Sequence, residues 1–171
     1  MRIFIAGPVG GGKTTFARRL SHQLGIASYA LDDLHWRRDP AGDQRRPMDE
    51  KQALLAALVA QEAWILEGVQ FKWLDSAFAR ADLILVLEPP VFRNLRQILT
   101  RFIKQVGGRE SANYKPTIGL LVQMLRWNAD YRTTERALLL EKLQPFLSKT
   151  SLIKHPREGL ALVKHRAECI G

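Results

Sequence analysis

With 171 residues, 46% apolar and 25% charged, the chain has the size and balance of an ordinary globular domain with a sizeable core, which excludes disorder, collagen and a disulfide scaffold. Its longest uncharged apolar stretches, such as Ile118–Leu125, fall well short of the roughly 18 residues of a membrane span, and the four apolar residues before Gly7 are fewer than the about 7–15 of a signal-peptide core. Lone Cys169 has no internal disulfide partner, no Cys/His spacing suggests zinc, and Lys+Arg 26 against Asp+Glu 17 leaves a net charge of +9. These features point to a cytoplasmic setting without a membrane partner.

Short β-like runs alternate with helical ones along the whole chain. Arg2–Ala6 is an apolar strand ending in a glycine-rich turn. Lys13–Leu24 reads as a helix with Phe16, Ala17, Leu20 and Leu24 on one face, stopped by Gly25. Ile26–Leu31 follows as a second strand and Asp32–Pro47 as a polar loop. Asp49 and Gln52 resemble a helix N-terminal capping pair before Leu54, Leu55, Leu58 and Val59 at helical spacing. Trp64–Glu67 is a third strand, and Asp82–Glu88 a fourth whose continuous apolar run suits a strand covered on both faces. Helical stretches follow at Phe92–Val106, Thr117–Trp127 and Thr133–Phe146, then a fifth strand at Ser151–Lys154 and a closing helix at Arg157–Ala167. This alternation predicts an α/β fold with a mainly parallel sheet and helices on both faces. Such sheets bind ligands beyond the carboxyl ends of their strands, here Gly7–Thr15, Asp32-Asp33, Glu67-Gly68 and Glu88–Pro90.

The first of these edges carries a specific motif. Gly7-Pro8-Val9-Gly10-Gly11-Gly12-Lys13-Thr14 fits G-x-x-x-x-G-K-[ST], the P-loop, and lies between a strand and a helix as that motif requires. Its glycines let backbone N–H groups turn inward onto a phosphate, and the helix that follows, through Thr15, offers unsatisfied amides and the positive end of its dipole. Lys13 is then the residue that reaches the β- and γ-phosphates, and the Thr14 hydroxyl a ligand of Mg²⁺. ATP and Mg²⁺ are the expected cofactors.

Three stretches extend the likeness: Ala17-Arg18-Arg19-Leu20 behind the P-loop, Leu31-Asp32-Asp33-Leu34-His35-Trp36, and Trp64-Ile65-Leu66-Glu67-Gly68; a weaker fourth is Pro90 followed by the Arg96 to Arg101 helix. On these, nearly the whole chain resembles the nucleoside-monophosphate-kinase-like branch of P-loop proteins, which includes adenylate, shikimate and gluconate kinases. Within it the chain is most similar to the bacterial group labelled topology modulation proteins, or FlaR-like. The resemblance implies one three-layer P-loop NTPase domain over residues 1–171, with a five-stranded sheet, an acceptor-binding segment at about 32–62 and an arginine-bearing lid at about 93–136. It implies that Glu67 holds Mg²⁺ through water, where the family usually has Asp followed by Gly-Asn-Tyr or Gly-Phe-Pro; this chain has Glu67-Gly68-Val69-Gln70. It places Asp32 beside the acceptor, as a group that orients a hydroxyl and accepts its proton, with Asp33, Gly68, Arg37 and Arg38 also lining the acceptor. Arg45 and Arg46 stand near enough to offset a carboxylate there, and a helix cap remains the alternative for one of the two aspartates. Arg101 projects toward the lid, where the family neutralises the transferring phosphoryl group; Arg132 and Arg136, at i and i+4, share a helix face that can close over the same phosphates.

The segment Arg93–Arg136 holds nine bases (Arg93, Arg96, Arg101, Lys104, Arg109, Lys115, Arg126, Arg132, Arg136) against three acids (Glu110, Asp130, Glu135), and so carries +6 of the +9. Nucleotide phosphates, nucleic acid or an acidic surface suit such a cluster, and so does a solvated helical face. Trp64, Trp73 and Trp127 read as packing residues; Trp36 is either a packing anchor or a residue stacking on the acceptor. Among the histidines only His35 stands close to a candidate site residue, Asp32. The leading expectation is a Mg²⁺–ATP phosphotransferase acting on a nucleoside monophosphate or a hydroxyl compound, as a monomer or homodimer. The alternatives are a nucleotide-gated nucleic-acid-binding or regulatory protein, motivated by the charge, and a simple NTPase.

Overall fold

The computed structural model describes residues 1–39, 42–108 and 116–170, with side chains through residue 166. Arg109, Glu110 and Lys115 of the basic segment, and the side chain of Cys169, lie outside the described residues.

Five strands form one sheet: β1 (Arg2–Ala6), β2 (Ser28–Ala30), β5 (Trp64–Glu67), β6 (Leu83–Leu87) and β7 (Thr150–Ile153). Their order is β2-β5-β1-β6-β7 and every pairing is parallel. The short strands β3 (Trp36–Arg37) and β4 (Gln44–Arg45) pair antiparallel as a separate ribbon. The helices are α1 (Lys13–Leu24), α2 (Leu31–His35), α3 (Met48–Val59), α4 (Asp75–Arg80), α5 (Val91–Val106), α6 (Ile118–Asp130), α7 (Arg136–Lys142) and α8 (Pro156–Ile170).

The period of two along each strand divides the core. Phe4, Ala6, Trp64, Leu66, Ile84 and Val86 face one helical layer, where Leu55, Phe78, Leu139 and Leu143 meet them. Ile3, Ile5, Ile65, Leu83, Leu85 and Leu87 face the other, against Phe16, Leu20, Ile153 and Val163. Both faces are covered, which is why β1 and β6 read as unbroken apolar runs. The connection leaving β1 leads toward the β2 edge and that leaving β6 toward the β7 edge. Their carboxyl ends therefore form a topological switch point, the place where sheets of this kind bind ligands. Among the described residues no helix is long and apolar enough to cross a membrane.

Several boundaries differ from the sequence reading, each for a local reason. The second strand is only Ser28–Ala30, because Leu31 turns into α2 and buries with Leu34 in the core. The segment expected as a loop after Asp32 instead holds α2 and the β3–β4 ribbon, joined by a bond from Arg46 N–H to the His35 carbonyl at 2.9 Å. Asp49 and Gln52 do not cap α3: Pro47 occupies the N-cap with φ −62° and no side-chain bond, and Asp49 sits in the first turn, where its charge suits the dipole. Helix α4 was not anticipated, being six residues long with only Ala77 and Phe78 buried. The two helical stretches expected near 117–127 and 133–146 run together as α6 and α7 through a π-helical turn, Tyr131–Glu135, before a 3₁₀ turn at Gln144–Lys149. Trp64 is core as expected, whereas Trp127 is 46% exposed and packs far less than expected.

Candidate nucleotide and acceptor site

The P-loop joins β1 to α1. Gly7, Gly10 and Gly12 all have positive φ (148°, 70° and 87°), a backbone course that side chains oppose. Space adds a second constraint. A Cβ on Gly7 would stand 2.4 Å from the Leu87 carbonyl oxygen, and one on Gly10 would stand 2.4 Å from Ile98 Cγ1. The loop is thus pressed against the end of β6 and the buried face of α5.

Two side-chain amides hold it there. Asn94 of α5 and Asn128 of α6 each donate Nδ2 to the Val9 carbonyl at 3.1 Å, and both are buried. The sequence reading missed them, and no periodic signal marked them, because the buried positions of α5 are Asn94, Ile98 and Gln105 while Phe92, Leu99 and Ile103 are exposed.

Lys13 folds back into the cradle and donates Nζ to the Pro8 carbonyl at 2.8 Å, with 8% of its surface exposed. Burial pushes its ammonium below the usual lysine value, Glu67 and Asp32 pull it upward, and Arg101 pushes it down. Those three residues, far apart in sequence, therefore act on Lys13 within one field. Thr14 donates its hydroxyl to Glu67 Oε1 at 2.7 Å across 53 positions. The register that pairs Ile5 with Glu67 sets the β5 carboxyl end beside the start of the P-loop, and Glu67 is 7% exposed. A hydroxyl and a buried carboxylate are hard oxygen donors, so this pair fits Mg²⁺ by donor chemistry. Thr15 is exposed in the first turn of α1.

The aspartates part company. Asp32 accepts from Gln70 Nε2 at 3.4 Å and acts on both Lys13 and His35, whereas Asp33 turns to Arg38 at 3.6 Å. Asp32 is thus the member of the pair facing the P-loop side. Gly68 packs against Leu31, whose Cβ would be 2.6 Å from an added Cβ, so packing accounts for this glycine.

The arginines named for the acceptor and lid are engaged within the protein. Arg37 donates to both Glu50 oxygens, Arg46 also pairs with Glu50, and Arg38 pairs with Asp43 as well as Asp33. Arg136 lays Nε and Nη2 on Glu88 at 2.5 and 3.1 Å, and Arg132 donates to the Pro89 carbonyl at 3.1 Å. Both therefore sit at the carboxyl end of β6, the edge expected to bind ligand. Arg101 is exposed on α5. Between Arg132 and the core lies Tyr131, 6% exposed, its phenol raised well above the usual tyrosine value by burial and then by Glu88, against Arg136 and Arg132. It opens the π-helical turn, a distortion frequent at functional sites.

No protein-family model matches the sequence, and no curated protein matches it. Solved structures do match. A gluconokinase from Sinorhizobium meliloti 1021 aligns with a TM-score of 0.52 at 17% identity, over 99% of this chain and 94% of that one. A shikimate kinase from Aquifex aeolicus vf5 aligns with a TM-score of 0.53 at 17% identity, over 98% and 96%. At that identity the likeness is one of fold: a five-stranded parallel sheet flanked by helices, the fold of P-loop kinases.

Proposed function

We propose that this chain is a P-loop phosphotransferase that moves the γ-phosphoryl group of Mg²⁺–ATP to a small-molecule acceptor, a nucleoside monophosphate or a hydroxyl compound. The observation that carries the reading is the meeting of Thr14 with Glu67 beside a cradle that already holds the Lys13 ammonium. Inward-turned amides and the α1 N-terminus receive the phosphates. Lys13 exchanges the Pro8 carbonyl for phosphate oxygens, a better partner for a buried cation. Thr14 and Glu67 hold the metal, which when bound neutralises charge spread over the phosphates. Asp32 orients the acceptor and takes its proton, and Arg101 balances the phosphoryl charge from the lid, joined by Arg136 when phosphate oxygens replace Glu88 as its partner. The two solved neighbours are both named as kinases, which supports the reading. The nucleic-acid and topology-modulation reading rests on the overall charge, the basic Arg93–Arg136 segment and the resemblance to that group; within the segment Arg132 and Arg136 already engage Pro89 and Glu88.

The test is ADP formation from Mg²⁺–ATP with and without a panel of nucleoside monophosphates, then sugars and small alcohols, with Lys13→Ala as the blank. Stimulation by one compound, absent from the blank, is the expected result. ATP binding and turnover unchanged in Lys13→Ala would overturn the proposal.

A further inference from the structure

Helix α5 carries four bases, Arg93, Arg96, Arg101 and Lys104, and no acid. Its apolar side chains are not the ones it buries. Asn94, Ile98 and Gln105 face the interior, whereas Phe92 is 75% and Ile103 69% exposed, and Leu99 and Val106 are exposed as well. At 3.6 residues per turn, Phe92, Leu99, Ile103 and Val106 fall within about 60° of arc, a single stripe along the helix. On the same geometry Arg96, Arg93 and Lys104 follow along one flank of that stripe.

Helix α6 adds to this surface. Asn94 near the start of α5 and Asn128 near the end of α6 meet at the Val9 carbonyl, and the two helices pack on each other, so they run antiparallel as an arm leading away from the P-loop. The far end of the arm is where α5 ends and α6 begins. Ile103 and Val106 stand at that end of α5, and at that end of α6 Ile118 is 74% exposed and Val122 is exposed too. A run of large apolar side chains left in water on this scale marks an interaction surface.

The charge beside the stripe says what kind of partner fits. A second copy brings the same cations to the same stripe, and like charges facing each other oppose association. Nucleic acid answers the charge but offers Phe92 and Ile103 no apolar interior. An anionic bilayer answers both, because the acyl boundary takes the apolar side chains while headgroups take the bases, whose long stems reach outward from a helix lying in the interface. No described helix is long and apolar enough to cross a membrane, and α5 has no need to: its pattern is that of a helix lying along one.

We propose that the outer face of α5, with the start of α6, is a docking surface for an anionic lipid bilayer, on which the protein rests as a peripheral protein. This goes beyond the phosphotransferase reading and does not depend on it.

The test is co-sedimentation with two vesicle preparations, phosphatidylcholine alone and equal parts phosphatidylcholine and phosphatidylglycerol. Wild type is expected to bind the second preparation far better than the first, and to be released by salt on the order of 0.5 M. The double variant Ile103→Ser/Ile118→Ser is expected to bind the anionic vesicles at least about tenfold more weakly, and Lys104→Gln about fivefold more weakly. All three side chains are exposed, so both variants should keep the wild-type Tm and ATP affinity. If the double variant does not fold, Phe92→Ser takes its place. Absence of wild-type binding to the anionic vesicles overturns the proposal, as does equal binding to both preparations or unchanged binding by the double variant. Light scattering without lipid supplies the remaining arm: a wild-type dimer that the double variant converts to monomer assigns the face to a second copy and likewise overturns the proposal.

Discussion

Replacing Glu67 by glutamine separates a metal-holding carboxylate from a structural one. The substitution keeps the side chain's size and leaves an oxygen to accept the Thr14 hydroxyl, now 2.7 Å from Oε1. A hydrogen bond to a charged group contributes about 1.5–3 kcal/mol and a neutral one about 0.5–1.5, so the contact weakens by about 1 kcal/mol. Relief of burying a carboxylate that is 7% exposed offsets part of this. The net effect on stability is therefore at most about 1 kcal/mol, or about 2–4 °C in Tm for a chain of this size. Metal binding has no such compensation. A carboxylate that holds Mg²⁺ through water is an outer partner whose loss costs about 10–100-fold in metal affinity. The assay is the dissociation constant of ATP across a Mg²⁺ series, with a chelator as the zero point. Wild type tightens as Mg²⁺ rises; Glu67→Gln requires about 10–100-fold more Mg²⁺ for the same gain. An unchanged Mg²⁺ dependence refutes the metal role, and a Tm loss beyond about 10 °C, more than twice the worked value, makes Glu67 structural.

Asn94→Ala and Asn128→Ala remove bonds to the same Val9 carbonyl; each is expected to lower stability by about 1 kcal/mol and to weaken nucleotide binding. Measured by thermal unfolding, the double variant is non-additive because the two share an acceptor. Gly10→Ala sets a Cβ against Ile98 at positive φ, and thermal unfolding should show a loss that Ile98→Ala relieves in part, leaving a backbone cost of about 1 kcal/mol. The Arg2–Asp82 pair predicts a pH dependence. Burial works to raise the Asp82 carboxyl, but hydrogen bonds from the Arg2 side chain and backbone outweigh it and hold the group below the usual carboxylate value. Its stabilisation is therefore present above the unfolded aspartate pKa of about 3.9 and is lost as pH falls through the lower folded value. Asp82→Asn should destabilise the protein at pH 7 and converge with wild type at the acid end of a denaturant-unfolding series.

The elements that could be read from sequence are those whose burial is written in contiguous residues. β1 and Trp64–Glu67 match their expected bounds because apolar runs end at Gly7 and Gly68, and α1 ends at Gly25, which adopts φ 67° and donates to the Ser21 carbonyl. The β3–β4 ribbon was illegible because two-residue strands carry no period, and α2 because its five residues present only Leu31, Leu34 and His35 to the core. The P-loop was legible as a motif, since each position answers to a local backbone need. What surrounds it was not. The Thr14–Glu67 contact depends on sheet register, the Val9 clamp on how α5 and α6 lie together, and the engagement of Arg136 on where Glu88 ends β6.

That last dependence bears on how the basic composition is interpreted. A formal charge of +9 suggests a broad field for anions, yet the arginines of the acceptor segment and of the π-helical turn are largely consumed locally, by Glu50, Asp43, Glu88 and the Pro89 carbonyl. An exposed pair such as Arg37–Glu50 contributes little to stability, so exchanging it for a ligand phosphate gains little beyond what solvent already allows. Lys13 differs because it is buried, 8% exposed, where the surroundings respond weakly and an anion arriving beside it meets a charge that water does not screen. The proposed phosphate cradle thus leans first on Lys13, which has a backbone carbonyl as its partner, and less on the arginines whose charges Glu50, Asp43 and Glu88 already engage.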